Sequence, residues 1–184
     1  MEIRRLDDHD ADTWLAVRLR ALRDHPEDFY ASVEDEATLP MEEVKERLAR
    51  DPRQAFVLGA FPDGELVGTA GMFRERFGKA HHKAVVWGMY VAPRARRRGI
   101  GRKLMVELVA RARAAGVERL QLSVSAGNRA ARALYIELGF EPWGMEPDSF
   151  RVDGRSIDEE HLALRLNQEQ GTRDKGRGSG TVSG

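Results

Sequence analysis

Val91-Ala92-Pro93-Arg94-Ala95-Arg96-Arg97-Arg98-Gly99-Ile100-Gly101-Arg102-Lys103-Leu104 joins an apolar run to a helical pattern, and the organisation of the whole chain can be worked out from it. Six of the ten residues from Arg94 to Lys103 are basic and none is acidic. A helix N-terminus already carries about half a positive charge. Asp, Glu or Ser usually stands there, and no Ser, Thr, Asp or Asn is in place to cap this helix. The arrangement is repulsive unless an anion sits on it. Gly99 and Gly101 remove side chains where free amides can meet that anion, so the stretch reads as a phosphate or pyrophosphate cradle. The plain alternative is a solvated basic turn whose glycines only ease a bend. Two phosphate motifs are excluded. A Walker loop needs a glycine five residues before Gly78-Lys79, where Phe73 stands, and the dinucleotide fingerprint needs one at Leu104.

Before this loop, residues 84–91 form a strongly apolar strand. After it, Ile100, Leu104, Leu108, Ala112 and Ala115 make one stripe of a helix, stopped by Gly116. Leu120, Leu122 and Val124 alternate as a further strand. Strand, helix, strand over 84–125 is a parallel crossover unit. A second block follows, Asn128-Arg129-Ala130-Ala131-Arg132-Ala133-Leu134-Tyr135-Ile136-Glu137-Leu138-Gly139-Phe140. Asn128 is a good N-cap, and Asn128, Ala131 and Tyr135 share one helix face. Taken alone, Tyr135 also fits a core aromatic.

Farther out, residues 1–6 read as an edge strand. Residues 12–23 read as a helix with Leu15, Leu19 and Leu22 on its apolar stripe, and residues 40–50 as another with Met41, Val44 and Leu48. Residues 55–60 and 65–73 form a hairpin about Phe61-Pro62-Asp63-Gly64. Residues 77–83 form a polar loop. Two last strands are expected near 140–144 and 160–166. The sum is a single α/β (α+β in some schemes) domain over 1–167, with a mixed, mostly antiparallel sheet flanked by helices. Residues 168–184 form a Gly-rich tail too poor in apolar residues to order itself.

The chain has 184 residues, of which 41% are hydrophobic and 33% charged, the balance of a globular protein and not of a membrane or disordered one. No apolar run is long enough to span a bilayer and no signal-peptide core is present. Thirty basic residues balance thirty acidic ones, which disfavours a general nucleic-acid binder. The absence of cysteine excludes disulfides, thiolate metal sites and a cysteine nucleophile, and suits a cytoplasmic location.

Arg96-x-x-Gly99-x-Gly101, followed by Asn128-x-x-Ala131-x-x-Leu134-Tyr135-x-x-x-Gly139-Phe140, resembles the GNAT acetyltransferase superfamily. The likeness is specific over 84–144. It implies a central pair of parallel strands that splay apart, acetyl-CoA as cosubstrate without a metal, and transfer of the acetyl group to a primary amine of a small molecule or protein by direct attack in a ternary complex. It also implies roles. The backbone of Arg96, Arg97, Arg98, Gly99, Ile100, Gly101 and Arg102 would hold the pyrophosphate, and Met89, Tyr90 and Val91 would pair with the pantetheine arm. Asn128 and Ala131 would lie along the cofactor. Tyr135 would protonate the leaving thiolate, a modest uphill transfer from phenol to alkyl thiolate.

The general base is the gap. Some relatives place a glutamate where this strand has Val85; Glu75, His81 and His82 are the candidates elsewhere, together with a water chain. A non-catalytic acetyl-CoA-binding regulatory module is the alternative this gap keeps open. Residues 24–43 hold eight acids and no Lys or Arg. As a wall of the acceptor site they favour a cationic amine; as a solvated face they carry no meaning. Asp158-Glu159-Glu160 is similarly ambiguous. Phe29, Tyr30, Phe73, Phe77 and Trp143 are candidate linings. Neither a nucleic-acid nor a membrane partner is expected, and a homodimer is left open.

Overall fold

A computed structural model describes residues 1–166. The tail 168–184 and the domain limit at 167 lie outside the described residues. Among the described residues seven strands form one sheet: β1 (Glu2–Arg5), β2 (Ala55–Phe61), β3 (Gly68–Arg74), β4 (Lys83–Val91), β5 (Arg119–Ser125), β6 (Glu141–Val152) and β7 (Arg155–Arg165). Their spatial order is β1-β2-β3-β4-β5-β7-β6, and every neighbouring pair is antiparallel except β4 with β5. The helices are α1 (Ala11–Asp24), α2 (Val33–Ala37), α3 (Met41–Ala49), α4 (Ile100–Ala114) and α5 (Arg129–Glu137).

All of β2 is buried, which explains its unbroken apolar run: both faces of the sheet are covered there. The α4 stripe Ile100, Leu104, Leu108 and Ala112 is buried, with Met105 added. In α1 the buried face is instead Ala11, Trp14, Val17, Arg18, Ala21 and Leu22. The expected leucine stripe is rotated, since Leu15 and Leu19 are only half-buried. Helical periodicity could not find this face because an arginine occupies its centre.

The β6–β7 hairpin is far longer than expected. Its turn is Asp153-Gly154, with φ of 49° and 77°, and Val152 pairs with Arg155 across it. That is the two-residue loop whose backbone matches the right-handed twist of the strands. β6 hides from pattern reading because it is an exposed edge strand, interrupted by Pro142 and Pro147 and by register shifts.

One break in the sheet sets where the functional elements meet. Pairing of β4 with β5 covers only Lys83–Val85 against Arg119–Gln121. Beyond Val85 the two strands diverge, so from Val86 to Val91 the edge of β4 that faces β5 has no strand partner. Opposite Thr69–Gly71 of β3 the register of β4 slips around Gly88, whose φ is 63°. A bulge of this kind bends a strand and turns it away from its neighbour.

Candidate active site

The gap between β4 and β5 opens into a cleft of about 1570 Å³. Its floor is the free stretch of β4, including Met89, Tyr90 and Val91. One wall is the loop into α4, from which Arg96, Arg97, Gly99, Ile100, Gly101 and Arg102 line the cleft. The facing wall is the end of β5 and the start of α5, with Asn128, Ala131 and Tyr135. Of the thirteen residues singled out in sequence, twelve border this one space; Arg98 does not.

The loop has the geometry of an anion cradle. Arg97 has φ of 61° and Gly99 has φ of 73°. Two left-handed residues within three positions turn successive backbone N–H groups toward one side, and a non-glycine residue held there is a strained feature. A Cβ on Gly99 would meet nothing within 4 Å, so the space over it is open. Gly99 is the N-cap of α4 and no side chain caps the helix. Lys103 donates to the Gly99 carbonyl at 3.1 Å, which leaves the amides of Ile100, Gly101 and Arg102 without a carbonyl partner in the helix. Gly101 serves a further purpose. A Cβ there would stand 2.9 Å from Met89 Cε, so the missing side chain also lets α4 pack close to β4.

Arg96 is tied in place: its Nε donates to the Val91 carbonyl at 2.9 Å, and its Nη2 lies 2.6 Å from His25 Nε2. His25 Nδ1 in turn lies 3.9 Å from Asp28. Burial raises the Asp28 carboxyl above its ordinary value, against the pull of the Asn128 amide and of His25. Asn128 caps α5 by accepting from the Ala131 N–H at 3.0 Å.

Tyr135 is buried, 5% exposed, and packs against Phe140. Its hydroxyl makes no hydrogen bond among the described residues. Burial pushes the phenol well above its usual pKa, and the charge of nearby Asp28 adds to this. The group therefore holds its proton throughout the neutral range.

The expected bases lie elsewhere: Glu75, His81 and His82 do not border the cleft, nor do Phe77 and Trp143. Phe29, Tyr30, Phe73 and Val85 do. A different carboxylate, one that is buried, does border the cleft. Glu159 on β7 is 4% exposed and borders the cleft. It accepts from Ser123 Oγ and Ser149 Oγ, each at 2.9 Å, and Ser149 also bonds the Tyr30 hydroxyl. In sequence it was one of three consecutive acids, and nothing local told it from its neighbours. Strand alternation on β7 is what turns it inward.

The acids of residues 24–43 do not form one wall. Glu36 is buried between Arg18 and Arg47. Asp35 caps α2 with Ser32, Glu42 pairs with Lys45, and Glu27 pairs with Arg155. Only Asp24, Glu27 and Asp28 of the eight border the cleft. Arg18, which also borders it, carried no signal in sequence.

The comparisons with known proteins agree with this geometry. Residues 18–140 match the model of the acetyltransferase (GNAT) family. The mycothiol acetyltransferase of Brachybacterium faecium is 30% identical over 141 residues, 76% of this chain and 40% of that protein. The chain spans about 40–45% of the length of the mycothiol acetyltransferases it matches. A ribosomal-protein-alanine N-acetyltransferase from Brucella melitensis is 30% identical, with a TM-score of 0.77 over 90% of this chain and all of that one. The Salmonella typhimurium protein yncA, solved with its cofactor acetyl-CoA, shares the fold at 23% identity, with a TM-score of 0.80 over 95% of this chain and 98% of that one. Among the described residues no helix is long and apolar enough to cross a membrane. With the family model covering two thirds of its length and the splayed parallel pair at its centre, the chain belongs to the GNAT family of acetyltransferases.

Proposed function

We propose that this chain is an acetyl-CoA-dependent N-acetyltransferase acting on a primary amine in a ternary complex. The observation that carries this is the free edge of β4 running into the left-handed loop before α4. An extended arm with amide groups can add to that edge as a short strand would, and a pyrophosphate at its end meets the uncapped amides of Ile100–Arg102. The residues present fit acetyl-CoA: open space over Gly99, unpartnered amides and a cluster of guanidinium groups. When bound, it supplies the activated acetyl group.

The protein's own residues then divide the work. Backbone N–H groups of β4 near Met89 hold the carbonyl oxygen as negative charge gathers on it. Glu159 takes the proton that the acceptor amine must lose, held in orientation by Ser123 and Ser149. Tyr135 gives its proton to the departing sulfur. The names of the relatives support an amine acceptor: one group is named for mycothiol and another, in Pseudomonas aeruginosa, for L-methionine sulfoximine and L-methionine sulfone, at 32% identity over 56% of this chain. A cytoplasmic location goes with this reading. The test is release of free CoA thiol from acetyl-CoA with a broad panel of amines. Turnover with at least one amine is expected. Tight acetyl-CoA binding without turnover by any of them would favour a regulatory module instead.

A further inference from the structure

Arg18 is the residue of the cleft that the chemistry above leaves unused. It sits at the centre of the buried face of α1 and is 9% exposed. Its Nε and Nη2 both donate to Glu36 Oε1, at 3.3 and 3.2 Å. The same carboxylate accepts from Arg47 Nη1 at 3.2 and 2.9 Å. Two guanidinium groups thus share one carboxylate, and among the described residues the cluster carries one uncompensated positive charge. Its other neighbours are aromatic faces: Phe29 at 5.0 Å and Trp87 at 5.7 Å from Arg18 Cζ. These ease the charge but do not neutralise it. Burial lowers the Arg18 pKa and Arg47 adds to this, although an arginine remains charged at any working pH.

The third nitrogen, Nη1, makes no hydrogen bond among the described residues. It is the atom nearest to where a Cβ on Gly88 would stand, at 4.0 Å. Gly88 marks the bulge at which β4 turns away from β3's register, and both residues border the cleft. A donor with a net positive charge behind it therefore points toward the bulge. This position is separate from the pyrophosphate cradle, which lies beyond the other end of the free β4 edge. Phe29 and Tyr30 connect it to the proposed base. Phe29 lies under Arg18, and Tyr30 bonds Ser149, which bonds Glu159.

Resting on the reading that this cleft acetylates an amine, we infer that Arg18 Nη1 binds a carboxylate of the acceptor, so that the acceptor is a small amino acid or a close analogue bearing both groups. This is the reverse of what the acids of residues 24–43 suggest in sequence, and the reason is that Glu36 is already held by Arg18 and Arg47. A ligand carboxylate has a second source besides the acceptor, the acyl group of the donor, as in succinyl-CoA.

The test measures kcat and KM for the proteinogenic L-amino acids and for their carboxamides, with acetyl-CoA and with succinyl-CoA, in the parent protein and in Arg18→Gln. This variant leaves Glu36 matched by Arg47 alone, which preserves a neutral buried pair. Its melting temperature and acetyl-CoA affinity are recorded beside the kinetics. The expected result is a preference for at least one free amino acid over its carboxamide of roughly tenfold to a hundredfold in kcat/KM, as one charge-assisted hydrogen bond implies. The preference should reside in KM and disappear in Arg18→Gln, while acetyl-CoA affinity stays within about threefold, a margin inside the context dependence of a single contact. Equal use of acids and amides, a preference for amides or uncharged amines, or a preference unchanged in Arg18→Gln would overturn the assignment to Arg18 and leave the acetyltransferase reading intact. A preference for succinyl-CoA that Arg18→Gln abolishes would overturn it in favour of the donor. No turnover of any panel member by protein that binds acetyl-CoA would also overturn it. Failure to bind acetyl-CoA at all would remove the acetyltransferase reading itself. If Arg18→Gln does not fold, Arg18→Lys, which keeps the charge but not the planar fork, should raise KM for the free acid selectively.

Discussion

In the proposed mechanism Tyr135 and Glu159 are the two side chains on which the chemistry turns. Tyr135 keeps its proton because it is buried and lies near the charge of Asp28; the same shift makes it a weaker acid, so its proton moves to sulfur only as negative charge gathers there, a steeper transfer than from a free phenol. Tyr135→Phe should lower kcat by roughly a hundredfold or more while acetyl-CoA affinity changes little, since one general acid contributes about 10²–10⁴ in rate. Steady-state kinetics together with a binding isotherm would check this, and unchanged kcat would remove Tyr135 from the acid role. Glu159→Gln keeps the shape and one acceptor oxygen for its serine partners but cannot take a proton. Its kcat/KM should fall by about 10²-fold at neutral pH. The remaining rate should climb as pH rises, because only acceptor molecules already deprotonated can react. A pH–rate profile identical to the parent's would rule out Glu159 as the base. Tyr135 was legible in sequence because its helix carries a recognisable spacing. Glu159 and Arg18 were not, since what marks each is burial, which arises from β7 alternation and from the packing of α1 on Trp87.

At the level of elements, the loop between β4 and α4 carries the clearest message. Its composition alone announced an anion, and the structure adds left-handed backbone at Arg97 and Gly99 with open space above. Gly99→Glu places a carboxylate where phosphate is expected and strains a residue at φ of 73°. Acetyl-CoA affinity should fall by at least about tenfold, the effect of one unfavourable charged contact. Gly99→Ala, which introduces the left-handed strain without the charge and costs about 1–2 kcal/mol of stability, should bind far better than Gly99→Glu. Equal affinities in the two variants would show that electrostatics is not what the loop provides. The crossover unit β4–α4–β5 was readable because its periods are clean. The β6–β7 hairpin was not: its Asp153-Gly154 turn was present in sequence, but an exposed edge strand with two prolines has no apolar alternation to flank it. α2 escaped notice for the same kind of reason, being one short acidic turn held by the Ser32–Asp35 capping box.

Across the whole molecule, a strand that leaves its neighbour creates the site. Seven strands would close into a continuous sheet if β4 and β5 paired along their length, yet they pair over three residues and then separate. The exposed backbone donors and acceptors of β4 would be a liability in a finished sheet, as any open edge is. Here they face a cleft whose far end is the cradle at α4. The separation was anticipated from the family resemblance alone; Gly88, the glycine at which β4 bulges, is its one local sign, and a lone glycine in an apolar strand does not specify divergence. Binding that completes the edge should also stabilise the fold. At a ligand concentration a hundred times Kd, the gain is about 2.7 kcal/mol, enough to raise the melting temperature by several degrees. Isothermal titration calorimetry with acetyl-CoA at modest ionic strength therefore bears most directly on the account. The prediction is saturable binding at one site per chain, weakened strongly by Gly99→Glu and competed by CoA. Absence of binding to acetyl-CoA and to CoA alike, by protein shown to be folded, would contradict it.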